Sequence, residues 1–165
     1  VYLDIETDGG QSGTSVTTIG MYDGSEFKCL VKGENLANFL DEISKYSMVV
    51  TFFGSGFDLP MLTKCFKGHR FDQIHIDLCY ALRKLGYKGG LKKIEQQVGI
   101  ARAEDTVGLN GLDAVRLWRA YQRGDDSALE TLIAYNREDV VNLETLAKLA
   151  YDGLSRQTLP ARLRL

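Results

Sequence analysis

Only two prolines, three cysteines and one tryptophan occur in 165 residues, and neither sign of charge dominates. The cysteines, Cys29, Cys65 and Cys79, are odd in number, far apart and form no Cys-x-x-Cys pair. That excludes a disulfide framework and a cysteine-ligated zinc site, and the expected setting is a reducing cytoplasm. No apolar run approaches the roughly 20 residues of a membrane span and no signal-peptide pattern opens the chain, so no membrane partner is expected. Charge blocks, repeats and low-complexity runs are missing too, which leaves one domain as the expectation. A net charge of −2 and a pI near 5.7 argue against a protein that grips long duplexes through many phosphate contacts.

What is present suits one α/β domain, with 44% hydrophobic content supplying a substantial core. Residues 1–6, 15–22 and 26–31 read as strands joined by short polar turns, an antiparallel meander. A helix over 35–45, a strand over 48–53, a helix over 59–66 and a short strand over 73–76 follow, with Asp77 capping the next helix. Helical spacing then recurs over 78–85, 91–98, 112–122 and 128–151. The expected architecture is a central mixed five-stranded sheet, meander plus parallel strands, flanked by helices. Trp118, with Val115 and Tyr121 at a spacing of three, reads as core. The domain is expected to span 1–156, with 157–165 as a tail or linker. Val1 lies inside a strand-forming run and is not Met, so the chain is expected to have been cut from a longer protein or trimmed, and further domains of a longer parent chain are candidate partners.

Chemistry is suggested by acids in three separated places. In Val1-Tyr2-Leu3-Asp4-Ile5-Glu6-Thr7 side chains alternate, so Asp4 and Glu6 leave one strand face roughly 6.6 Å apart. Two acids on the solvated face of an edge strand would be unremarked. Here the run is apolar at Val1, Leu3 and Ile5 and ends in Asp8-Gly9-Gly10, which puts the acids at the C-terminal end of a core strand, where α/β sheets bind ligands. Asp58 follows a β-type run and a glycine-rich turn, and with Pro60 it marks a helix start; taken alone it reads as an N-cap. Tyr135 and Asp139 are i and i+4 neighbours on one helix face and can serve one site.

Together these segments resemble the DnaQ-like DEDD 3′–5′ exonucleases, most closely the YprB-type ribonuclease H-like domains. Asp4-Ile5-Glu6-Thr7 stands as the first motif, Phe57-Asp58-Leu59-Pro60 as the second and Tyr135-x-x-x-Asp139 as the third in its tyrosine form. The histidine form would need His at position 134, which is Ala134. The likeness extends through His75-Ile76-Asp77-Leu78, Gly90-Leu91-Lys92-Lys93-Ile94-Glu95, Val98-Gly99-Ile100 with Arg102, and Leu117-Trp118 with Tyr121. Two departures concern the substrate end: Asp8-Gly9-Gly10 supplies no large apolar wedge, and Phe53 stands where the family commonly has asparagine.

The resemblance implies a ribonuclease H-like fold and 3′–5′ hydrolysis of single-stranded DNA or RNA to 5′ mononucleotides. Asp4, Glu6, Asp58 and Asp139 would be the ligands of two divalent cations. Tyr135 would orient the attacking water, being a poor base with an ordinary pKa near 10. Thr7, Gly9, Phe57 and Lys92 would contact substrate. Oxygen-only donors select Mg²⁺ or Mn²⁺, and four converging carboxylates repel unless cations neutralise them. Arg83, Lys84, Lys88, Lys92, Lys93 and Arg102 cluster around the glycine-containing turn at 86–90 and offer either phosphate contacts or a solvated helix face. The alternative is a nucleic-acid-binding domain of a larger protein with little or no turnover, favoured by Gly10, Phe53 and the acidic balance. A structure-selective endonuclease on the same fold fits the tyrosine motif less well.

Overall fold

The computed structural model describes residues 1–158. Strand β1 (Tyr2–Thr7) lies between β2 (Val16–Tyr22), which pairs with it antiparallel, and β4 (Met48–Thr51), which pairs with it parallel. Strand β3 (Phe27–Val31) extends the meander beyond β2, and β5 (Ile74–Asp77) runs parallel to β4, giving the order β3-β2-β1-β4-β5. The expected mixed five-stranded sheet is therefore what forms.

Strand alternation divides the core between the two faces of the sheet. Leu3, Ile5, Ile19, Met21 and Val49 pack on Phe39 and Ile43 of helix α1 (Phe39–Ile43) and on Met61 and Leu62 of α2 (Asp58–Cys65). On the other face Val50 joins Leu78 and Leu82 of α3 (Leu78–Lys84), Ile94 of α4 (Leu91–Val98), and Leu143 and Leu146 of α6 (Asp126–Thr158). Helix α5 (Gly111–Tyr121) adds Ala114 and Trp118, which pack with Val31, Leu132 and Tyr135. Trp118 is core as expected, whereas Val115 and Tyr121 are only half-buried.

Several boundaries differ from the sequence expectation for local reasons. The helix expected over 35–45 shrinks to a 3-10 turn, Leu36–Asn38, and the five residues of α1, because Asn35 folds back to accept Val31 N at 2.6 Å. Strand β4 stops at Thr51, two residues early, where the chain turns at Phe53 with φ +63°. Helix α6 spans 33 residues, about 50 Å at 1.5 Å per residue. It begins where Asp125 Oδ1 accepts Ala128 N at 3.3 Å and runs seven residues past the expected end at Tyr151. Part of the expected tail, Gln157 and Thr158, is thus helical; the remainder, 159–165, lies outside the described residues. Among the described residues no helix is long and apolar enough to cross a membrane.

Candidate active site

With Leu3 and Ile5 committed to the α1/α2 face of β1, Asp4 and Glu6 must leave the other face, the one α6 crosses. Asp139 arrives there from α6, and carboxylate oxygens of Asp4, Glu6 and Asp139 all lie within 4.8 Å of one another. Glu6 and Asp139 are buried and Asp4 is half-buried. Tyr135, one helical turn before Asp139, is buried beside them.

Asp58 lies outside that 4.8 Å cluster. It is also not the helix cap that its sequence position suggests: Phe57 occupies the N-cap, makes no side-chain cap bond, and Asp58 is the first helical residue. Its Oδ1 accepts Ile5 N at 3.1 Å. The reason is topological. β1 and β4 pair at Tyr2 and Val50 and then part, so the Ile5 amide would be left without a strand partner. Asp58, 3% exposed, fills that gap behind the three clustered acids.

The cluster is electrostatically strained. Burial, followed by the charges of Asp139, Asp58 and Glu6, raises the Asp4 carboxyl well above its ordinary value. Burial and then Asp139 push Glu6 up to about 8. Burial pushes Asp58 up to about 7 although backbone amides donate to it. Tyr135 is raised by burial, then by Asp139, Glu6 and Asp4, so its hydroxyl keeps its proton at neutral pH.

Two cations answer part of this charge. Lys92 Nζ donates to Asp139 Oδ1 at 2.7 Å and also to Oδ2, and it sits 4.4 Å from the centroid of the Tyr135 ring. Arg102 donates to Asp139 Oδ1 and forms two 2.7 Å bonds to Glu95, a fork-to-carboxylate pair. The basic cluster expected from the sequence therefore splits: Lys92 and the buried Arg102 head turn inward to Asp139, while Arg83, Lys84 and Lys88 stay exposed.

Sequence reasoning missed two members of this arrangement. Asn136, fully buried, donates from Nδ2 to Asp4 Oδ2 at 3.0 Å. Its space comes from Gly20, the residue opposite Asp4 on β2, where an added Cβ would meet Asn136 Oδ1 at 2.2 Å. A glycine inside a strand was the available signal, because it marks a close approach. Glu95, 1% exposed, holds Arg102 and accepts Asn142 Nδ2 at 3.0 Å, which ties α4 to α6. Its position one turn beyond Leu91 on an amphipathic helix carried no such mark.

The expected substrate residues scatter around the same edge of the sheet. Thr7 Oγ1 accepts Gly9 N at 3.3 Å in the turn after β1. Gly9, at φ +93°, lies against Val115 of α5. Phe57 is 39% exposed at the start of α2. A cavity of 730 Å³ lined by Phe27, Thr106, Ile133, Arg137 and Glu138 lies on the opposite side of α6 and shares no lining residue with the acids.

A mixed five-stranded sheet flanked by helices, with acids gathered on its central strand, is the ribonuclease H-like architecture, that of a class of nucleases that generally use divalent metals. The chain belongs to the RNase H superfamily, whose profile matches residues 1–151. No curated protein matches it. Among solved structures it is similar to the family B DNA polymerase from the hyperthermophilic archaeon Pyrobaculum calidifontis, with a TM-score of 0.68 and 17% identity. The match covers 96% of this chain but 24% of the polymerase, so the chain spans about a quarter of that protein's length and the likeness is one of fold.

Proposed function

We propose that the chain is a DnaQ-like, tyrosine-type 3′–5′ exonuclease of the YprB kind, hydrolysing single-stranded DNA or RNA to 5′ mononucleotides. The observation that carries this reading is the convergence of Asp4, Glu6 and Asp139 oxygens within 4.8 Å. The donor set fits hard divalent ions: it is all oxygen, largely buried, and its mutual repulsion is relieved by added positive charge. Asp4, Glu6 and Asp139 would hold Mg²⁺ or Mn²⁺, with Asp58 as the fourth acid. Such ions supply, when bound, a lowered pKa for the attacking water and charge stabilisation at the phosphate and the departing 3′ oxygen.

The chain's own residues do the rest. Tyr135, kept protonated, is a hydrogen-bonding group that orients the water rather than a base. Asn136 holds Asp4 in place by its 3.0 Å bond, as supporting partners of metal ligands do. Lys92 neutralises Asp139; displaced from it by a bound cation, the ammonium would be at hand for a substrate phosphate. Thr7, Gly9 and Phe57, on the same sheet edge, are assigned to the terminal nucleotide.

One observation favours a second reading, a nucleic-acid-binding domain without turnover. Lys92 and Arg102 already neutralise Asp139 from within, so buried acids here do not by themselves demand metal. Incubation of the chain with 5′-labelled single-stranded DNA and RNA plus Mn²⁺ separates the two. The exonuclease reading expects a ladder shortening from the 3′ end; intact strands, together with no Mn²⁺ binding by calorimetry, would leave the binding domain.

A further inference from the structure

Among the described residues, Phe53 is the only one other than glycine with positive φ, +63°. A bulky aromatic residue in that region is strained, and such strain persists only where surrounding contacts enforce it. Here they do. Phe53 N donates to Asp77 Oδ1 at 2.8 Å, and Ser55 donates from N and Oγ to Asp77 Oδ2 at 3.1 and 2.6 Å. The turn also needs two residues without side chains, since a Cβ on Gly54 would meet Thr51 Oγ1 at 2.2 Å and one on Gly56 would meet the Phe53 ring at 2.6 Å.

Core packing does not explain this outlay. The Phe53 ring belongs to none of the three apolar clusters and is 45% exposed. Beside it, at 6.4 Å between centroids, stands Tyr80 in the first turn of α3, also 45% exposed, and the Arg83 guanidinium lies 5.4 Å from the Tyr80 ring. Arg83 has no carboxylate partner among the described residues. The row lies at the C-terminal ends of the parallel strands β4 and β5, the edge at which β1 presents Glu6. Asp77, which pins Phe53, is near enough to Asp58 for its charge to be felt there.

We propose that Phe53, Tyr80 and Arg83 form a stacking track for unpaired bases of a single nucleic-acid strand whose scissile end lies at the acid cluster. This rests on the reading of that cluster as a strand-hydrolysing site. Aromatic faces accept any base, and the adjacent guanidinium, which donates to Cys79 Sγ at 3.7 Å but has no carboxylate partner among the described residues, attracts the backbone and stacks in its own right, which together select a single strand over a duplex. The strained turn sets the ring in position before the strand arrives, which lowers the ordering cost of binding.

The test compares the chain with Phe53→Asn, Phe53→Tyr and Tyr80→Ala. Asparagine tolerates positive φ, so Phe53→Asn removes the ring without breaking the turn, and an unchanged or raised Tm verifies this. Affinity for a fluorescein-labelled single strand is read by anisotropy in Ca²⁺, and KM and kcat by Mn²⁺-dependent hydrolysis. Phe53→Asn and Tyr80→Ala are expected to weaken strand binding and raise KM by about tenfold each, equal to about 1.4 kcal/mol, with kcat little changed and Phe53→Tyr restored. Abasic substitution in the strand should weaken wild-type binding more than it weakens binding by Phe53→Asn, in which Tyr80 alone remains to stack. Unaltered strand affinity in both ring-deleted variants would overturn the track, as would equal sensitivity to abasic substitution with and without the ring, which would point to a protein partner for this surface. If the wild type binds the strand without cleaving it, hydrolysis falls and the track is still decided by anisotropy.

Discussion

Asn136 Nδ2 lies 3.0 Å from Asp4 Oδ2 and 3.5 Å from the Asp4 carbonyl oxygen, and these contacts join the first strand to the last helix across 132 positions of sequence. Asn136→Ala should cost about 1 kcal/mol in denaturant unfolding and weaken Mn²⁺ binding about 10- to 100-fold, because a half-buried acceptor loses its partner and a ligand loses its orientation. Gly20→Ala should reproduce the metal defect, since its Cβ would collide with the same amide. Calorimetry showing wild-type Mn²⁺ affinity in both would refute the positioning role.

Asp4→Asn and Asp139→Ala are each expected to abolish Mn²⁺-dependent hydrolysis, whereas Tyr135→Phe should lower the rate and leave Mn²⁺ affinity nearly intact. Rate measurements and metal titration on the three variants check this, and full activity in either acid variant would contradict the ligand assignment.

Asp58 has a structural task that can be separated from a metal task. Asp58→Ala leaves Ile5 N without its acceptor and should cost about 1–3 kcal/mol of stability. Asp58→Asn retains an oxygen at that place and should unfold near the wild-type midpoint while losing activity. Normal activity in Asp58→Asn would confine the residue to its backbone role.

Lys92 competes with any cation for Asp139. Lys92→Met should therefore tighten Mn²⁺ binding by about tenfold, about 1.4 kcal/mol, while hydrolysis slows for want of the ammonium. Weaker Mn²⁺ binding in this variant would show that Lys92 supports the metal site instead of holding its place.

The raised carboxyls make the metal-free fold pH-sensitive in a definite direction. Glu6 titrates at about 8 when folded against 4.5 ordinarily, and Asp58 at about 7 against 3.8, so between these values the folded chain holds protons that the unfolded chain has released. Stability contributed by the protonated acids is present below the ordinary values and is lost as pH rises through the folded ones. In EDTA the Tm should fall from about pH 5 to about pH 8, and Mn²⁺ should restore it most at the upper end. A flat or rising Tm in EDTA would contradict the burial of these acids.

Much of the scaffold was legible because its signals are local. Alternation in β1 to β3 and helical spacing in α3 to α6 depend on neighbours within a few residues, and the five strands and their mixed pairing follow from them. Ends were less legible: Asn35 bonding back to Val31 shortened one helix, and the continued helix from Tyr151 to Thr158 had no stop signal to mark it. At the site, Asp4, Glu6, Tyr135 and Asp139 stood out because strand and helix periods place each pair on one face. Asp58 stood out as a helix start, and its actual task, closing the gap where β1 leaves β4, depends on how the strands diverge.

By itself the sequence determined which faces are apolar and hence which side of β1 and α6 its acids must take, since periodicity is a property of the chain alone. Only the tertiary structure decided what those acids meet: Asn136 on Asp4, Lys92 and Arg102 on Asp139, and the Asp77-held turn that turns Phe53 outward. Those contacts join residues distant in sequence, and their geometry is set by how the helices pack across the sheet.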